Sequence, residues 1–269
     1  MKHTAPANDT QRPWTSWDAW LNSPPGQYVL NWEQTQFDHI VADIFGYHAL
    51  QIGLPQLSSL KENRMPVHII LRAPHDRPEE QPDHWHTING LPDELPFASQ
   101  SIDLVILPHV LEFAEDPHAV LREVDRVLMP EGRVIITGFN PASLWGLRQY
   151  WGRFMGLQPY LPREGQFMAL LRIKDWLKLL NYSVDRGRFG CYRLPLRSAK
   201  GMDKMGFLEK AGDRWWPIAG AVYVVRAVKR TVGMRLVHPA WREAPVKRPA
   251  LVQVARRDNV IHVRPLNRR

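Results

Sequence analysis

Cysteine is nearly missing from this 269-residue chain: Cys191 stands alone, which excludes an internal disulfide and a thiolate-built zinc cluster. No run of 18 apolar residues occurs, so no segment is expected to span a membrane. The stretch MKHTAPANDTQRPW has no apolar stretch of the kind a signal peptide needs, and the cytoplasm is the expected compartment. A nucleophile elbow, a Walker loop and zinc-knuckle spacing are all lacking, which sets those chemistries aside. His84 and His86 sit two apart on one expected strand, but without a third ligand at metal-site spacing they point to no metal. Acids become scarce late in the chain. From Arg226 to Arg269 there are twelve Lys or Arg against Glu243 and Asp258, a balance of +10, so the rest of a chain of net charge +8 carries −2. A basic segment of this kind suits nucleic acid or an anionic membrane surface; a solvated tail is the plainer reading.

What the chain does have is enough apolar content, 44%, to bury the core of one α/β domain with additions. The clearest stretch runs from Leu95 to Asn140. Ile102-Asp-Leu-Val-Ile-Leu107 is a β-rich apolar run, as expected of a parallel strand covered on both faces. Asp116-Pro117 opens a helix, with a carboxylate at the N-cap and proline at the first helical position. Val120, Leu121, Val124, Val127 and Leu128 form its apolar stripe. Pro130-Glu131-Gly132 turns the chain into a strand at 133–137. Strand, crossover helix and strand make a βαβ unit, and ligands of such sheets lie beyond the carboxyl ends of the strands. Those ends are Pro108-His109 and Gly138-Phe139-Asn140.

Around this unit, helices are expected near Trp14–Trp20 and over about 27–45, with Leu30, Phe37, Ile40, Val41 and Ile44 turned inward. Strands follow at 48–52, 67–71 and 85–88. Later come helices over 143–153 and 173–180, and strands near 184–189 and 221–228. The segment after Asn140 is rich in aromatics and arginine. Leu144, Leu147, Trp151, Phe154 and Met155 fall on one broad face, and three readings stay open: a lid over an apolar substrate, a helix lying in a membrane surface, or a core helix. Trp215, Trp216 and Trp241 suit either base stacking beside the basic segment or packing on the last strand.

The series LPF–IDLV–HVLEF–DP–LREV–RVL–PEG over residues 95–132 resembles the second half of a class I S-adenosylmethionine (AdoMet) methyltransferase, of the type-11 group around the ubiquinone and menaquinone C-methyltransferases. The resemblance implies an α/β fold: a Rossmann-like seven-stranded, mostly parallel sheet at 47–230, preceded by an N-terminal helical leader (1–46) and followed by a basic C-terminal extension (231–269). It also implies S-adenosylmethionine as cofactor. Family members follow the first strand with three alternating glycines, which let the backbone approach the cofactor. Here Gln51 stands in place of the acid that precedes them, Gly53 alone is kept, and Pro55 and Leu57 replace the other two. Leu71-Arg72-Ala73 stands where the family has an acid for the ribose, and arginine accepts no hydrogen bond. Asp93 is the plausible partner of the adenine.

By the same resemblance, Gln51, Gly53, Asp93, Pro108 and His109 face the cofactor, while Glu112, Phe139, Asn140 and Trp145 face the substrate. His109 is the candidate general base, its ordinary pKa being near ~6.5, or else a histidine that packs beside the ligand. Asn140 either orients a substrate or closes an Asn-Pro turn. Two functions are therefore weighed. One is methyl transfer to a small-molecule or lipophilic acceptor. The other is a cofactor-free, methyltransferase-like scaffold whose basic arm engages nucleic acid or another acidic partner.

Overall fold

The computed structural model describes residues 17–73, 85–156, 160–161, 165–196, 198, 201–202 and 205–231. Two helices come first, α1 (Trp17–Leu21) and α2 (Pro24–Val41). Ser23 caps α2 by accepting from the Gly26 N–H, with prolines in the first turn, where the missing N–H costs nothing. Gly26 lets the two helices touch: a Cβ there would lie 2.2 Å from the Trp20 carbonyl oxygen. The strands β1 (His48–Ile52), β2 (Val67–Arg72), β3 (Trp85–Asn89), β4 (Ile102–Pro108) and β5 (Leu128–Phe139) follow. Between β4 and β5 lie a short α3 (Val110–Phe113) and α4 (Pro117–Val127). Asp116 caps α4 through the His118 N–H at 2.9 Å. Next come α5 (Leu144–Phe154), α6 (Leu170–Leu179), β6 (Tyr182–Gly190), α7 (Phe207–Trp215), a 3-10 turn (Pro217–Ala219) and β7 (Val222–Lys229).

The seven strands form one sheet in the order β3-β2-β1-β4-β5-β7-β6. β1 to β5 run parallel, and β7 is antiparallel to both its neighbours. Both faces are covered, so the central strands are apolar on each. Trp20, Phe37 and Val41 of the leader pack on Ala49, Leu104, Ile135 and Val224 of one face. Val120, Val124, Ile173 and Leu177 of α4 and α6 pack on Leu50, Val105, Ile136 and Val225 of the other. The leader is thus part of the core. The strand order reverses between β1 and β4, which is where open α/β sheets place their ligands.

Asp103, the polar interruption of β4, is structural: its carboxylate accepts from the Tyr47 and His48 N–H groups at 2.8 and 2.9 Å and fixes the start of β1. Three local expectations are corrected. Helix α2 ends at Val41, ahead of Gly46. Strand β5 begins at Leu128 and runs straight through the Pro130-Glu131-Gly132 turn signal, with Glu131 taking the left-handed conformation (φ 62°) to do so. Helix α7 has no counterpart in the sequence reading. The basic segment is also redistributed. Arg226 is buried and held by Asp185 (2.7 Å) and Asp43 (2.9 Å), Lys229 reaches Asp125 and the Leu128 carbonyl, and Arg230 pairs with Glu131. These three cations belong to the sheet and are not free for a partner. Residues 232–269 lie outside the described residues.

Candidate functional site

A cleft of about 290 Å³ opens at the carboxyl ends of β1, β2 and β4. Ile52, Gly53 and Leu54 form one wall, Leu71 and Ala73 a second, and Pro108, His109 and Val110 a third. Gly90 and Pro92 close the β3 side, while Phe113, Ala114 and Trp17 cover the remainder. His109 is the one titratable side chain among these lining residues.

Gly53 has φ +70°, a conformation that costs glycine nothing and most residues 1–3 kcal/mol or so. Residues 53–66 contain turns but no helix, and Gln51 ties them together. Its side chain, wholly buried, donates to the carbonyls of Gly53, Leu54 and Leu57 at 3.1, 2.9 and 2.8 Å, and accepts from the Ser59 hydroxyl and N–H at 2.6 and 3.2 Å. One amide thereby holds the whole turn.

His109 sits just past β4 with φ 56°, ψ 12°, a left-handed geometry unusual for a non-glycine residue and typical of functional sites. Its Nδ1 lies 2.6 Å from Glu112 Oε2 and its Nε2 lies 2.9 Å from Glu33 Oε1. All three side chains are at most 1% exposed. Burial by itself would favour the neutral imidazole, but the carboxylates of Glu33 and Glu112 outweigh it and push His109 up to about 10. Burial likewise lifts Glu112 above the usual carboxylate range, against the pull of His109 and of the Phe139 N–H that it accepts at 2.5 Å. Aromatic rings enclose the group: Phe139 lies 4.5 Å and Trp17 5.4 Å from the imidazole, ring centre to ring centre, and Trp20 packs edge-on against Phe139.

Residues 71–136 match the model of a methyltransferase domain. The chain is 31% identical over 220 residues to the uncharacterized protein YafS of Escherichia coli, covering 81% of this chain and 83% of that one. The chain belongs to the YafS family. Its α/β domain has the fold of class I methyltransferases. A shorter likeness, 42% over 57 residues, links it to the malonyl-[acyl-carrier protein] O-methyltransferase of Halorhodospira halophila, of which the match spans 19%. Among solved structures, the Haloferax volcanii chain in complex with the Trm112 methyltransferase activator superposes with a TM-score of 0.56 at 16% identity, over 82% of this chain and 98% of that one. An S-adenosylmethionine-dependent methyltransferase of Thermotoga maritima gives 0.53 at 14%, over 80% and 94%. At such identities these two likenesses speak for the fold.

Within this YafS-family domain, Gly53, Pro108 and His109 line the cleft as the sequence suggests. The other expected residues do not. Gln51 is consumed by the loop it ties. Asp93 is exposed, and its neighbour Pro92 forms the cleft wall. Glu112 and Phe139 lie behind His109 and support it. Asn140 is structural: its Nδ2 donates to the carbonyls of Ile218 and Gly220 at 2.8 and 3.0 Å, and its Oδ1 accepts from Ala142. Trp145 is buried, donates to the Arg193 carbonyl at 2.7 Å and packs on Tyr160. His109 is also reassigned. Both ring nitrogens face carboxylates, and a group that holds its proton up to about 10 is no general base at neutral pH. His86 is exposed, its expected companion His84 lies outside the described residues, and no metal-holding cluster occurs among the described residues.

Two residues were missed. Glu33 stands three positions after Leu30 and four before Phe37, on the buried stripe of α2; an acid on an inward stripe was the available signal. Trp17 lay in the helix expected near Trp14–Trp20, but nothing local said that it covers the β4 end.

The cluster makes stability depend on pH with a definite sign. The folded state holds the His109 proton more tightly than the unfolded chain. Its contribution is therefore complete below the ordinary value of about 6.5 and is lost as pH rises through about 10. Glu112, also raised, adds a trend of the same direction. The melting temperature is expected to fall between pH 6.5 and 10, and Glu33→Gln, which removes the first electrostatic support of the imidazolium, should flatten that fall. An unchanged slope in the variant would show that the cluster does not carry the titration.

Proposed function

We propose that this protein is an S-adenosylmethionine-dependent methyltransferase acting on a small-molecule or lipophilic acceptor. The observation that carries the reading is the position and lining of the cleft: it opens at the reversal of strand order, beside the left-handed Gly53 turn, and is walled largely by apolar groups.

On this reading the cofactor is S-adenosylmethionine, and the lining fits it in part. Gly53 and Leu54 offer a close backbone edge. Gly90 and Pro92 suit a flat apolar base. Trp17 lines the cleft, and an indole ring attracts positive charge. Among the described residues no carboxylate lines the β2 end of the cleft; Ala73 occupies that wall. When bound, the cofactor supplies an electrophilic sulfonium methyl group. The chain's own part is positioning and exclusion of water. Trp17, Phe113 and Val110 close the cleft, and the Glu33–His109–Glu112 cluster fixes the β4 end that forms its wall. His109, the one titratable residue in the described lining, holds its proton and so offers no base to the acceptor. Rate enhancement comes from proximity and orientation.

The buried Gln51 tie and Ala73 favour a second reading, the cofactor-free scaffold. The two separate on transfer of label from methyl-tritiated S-adenosylmethionine. Incubation with the small-molecule and lipid fractions of a cell extract should place label in a fraction that extracts with the acceptor, and Gly53→Val should abolish it. Labelling identical to that of a no-protein control in every fraction would favour the scaffold.

A further inference from the structure

We propose that the carboxyl edge of the sheet docks onto an anionic lipid bilayer through the outer face of α5 and the Trp215–Ile218 turn. On α5, Leu144 and Leu147 are half exposed, Trp151 is 54% exposed and Tyr150 74%. Met155 follows on the same side. Trp215, Trp216 and Ile218 are each exposed by 64–70%. The two segments are neighbours. Asn140, which opens the connection into α5, binds the carbonyls of Ile218 and Gly220, and Val222 pairs with Phe139 in the sheet. Both therefore lie at the end of the sheet where the cleft opens.

The inner face of α5 is already used. Trp145 is buried against Tyr28 and Tyr160, and Gln149 binds Tyr160 and Leu161. The exposed side is thus a second apolar stripe that the fold leaves in water, against the usual cost of about 25 cal/mol per Å². Its chemistry selects a membrane surface over a dry protein interface. Tryptophan and tyrosine, with an apolar body and one polar edge, are the residues enriched at the level of lipid head groups. The charge agrees: α5 contains no Asp or Glu, and Arg148 stacks on Tyr160 at 4.6 Å beside this face. Arg214 is exposed next to Trp215, and the exposed Asp213 before it is paired with Arg188. Amphipathic helices with cations and large aromatics lie in the interface plane, more firmly on anionic lipid. No helix among the described residues is long and apolar enough to cross a membrane, so the contact is peripheral.

The test is co-sedimentation of the full chain with vesicles of phosphatidylcholine alone or with one-third phosphatidylglycerol. The wild type should bind the anionic vesicles. A Leu147→Glu/Trp151→Glu variant, altered only at exposed positions and checked for an unchanged melting temperature, should bind at least about tenfold more weakly. Equal binding by wild type and variant would overturn the proposal and pass the lipid contact to the basic segment beyond Thr231. Failure of the wild type to bind, with self-association that the same substitutions remove, would overturn it in favour of a second copy of the chain. Neither outcome bears on cofactor binding, which is measured separately.

Discussion

Replacing His109 with asparagine is expected to destabilise the protein by about 3–5 kcal/mol, the usual cost of removing one partner from a buried ion pair. Asparagine tolerates the left-handed backbone that His109 adopts, so the loss reports the charge cluster and not backbone strain. Without the imidazolium, Glu33 and Glu112 remain wholly buried and face each other across the vacated space. Adding Glu33→Leu should recover much of the loss, since replacing buried charges by apolar groups of similar size is often neutral. Urea denaturation of the two variants measures both steps. A loss under about 1 kcal/mol in the single variant would mean that the cluster is neutral and solvated, contrary to its burial.

The second large effect is on ligand binding. Gly53→Val places a β-branched side chain at φ +70°, where such residues are genuine outliers, and its Cβ would stand 3.4 Å from Val110 Cγ2 across the cleft wall. The fold should survive, because the strain of about 1–3 kcal/mol falls on one half-buried residue at the cleft edge. Affinity for S-adenosylmethionine should drop by about tenfold or more, since each 1.4 kcal/mol lost is a factor of ten. Asp93→Ala is the control: Asp93 is exposed and does not line the cleft, and affinity should hold. The opposite pattern, with Asp93 essential and Gly53 indifferent, would place the cofactor elsewhere.

The fold was legible because its signals are local. The apolar run of β4, the Asp116-Pro117 helix start and the stripe of α4 each follow from side-chain chemistry within a dozen residues. Strands β1 to β3 were placed to within a residue for the same reason. The site was less legible because its interactions are distant in sequence. Glu33 meets His109 across 76 positions, and Trp17 covers a strand end 92 residues away. Gln51 was seen as a missing acid. Its actual role, gathering three carbonyls and Ser59, depends on a loop conformation that no periodicity encodes. Asn140 and Trp145 looked like site residues because they follow a strand end, yet their polar atoms are used by the backbone of 193 and 218–220. Strand ends locate a site; they do not say which side chains face it.

The central claim is that the cleft beside Gly53 holds S-adenosylmethionine. Calorimetric titration of the full chain with S-adenosylmethionine and S-adenosylhomocysteine, after any co-purified ligand has been removed, tests it directly. Binding of both in the micromolar range, at one site per chain, is the expected result. Absence of heat together with absence of thermal stabilisation at millimolar ligand would contradict the claim and leave the domain a methyltransferase fold used as a scaffold.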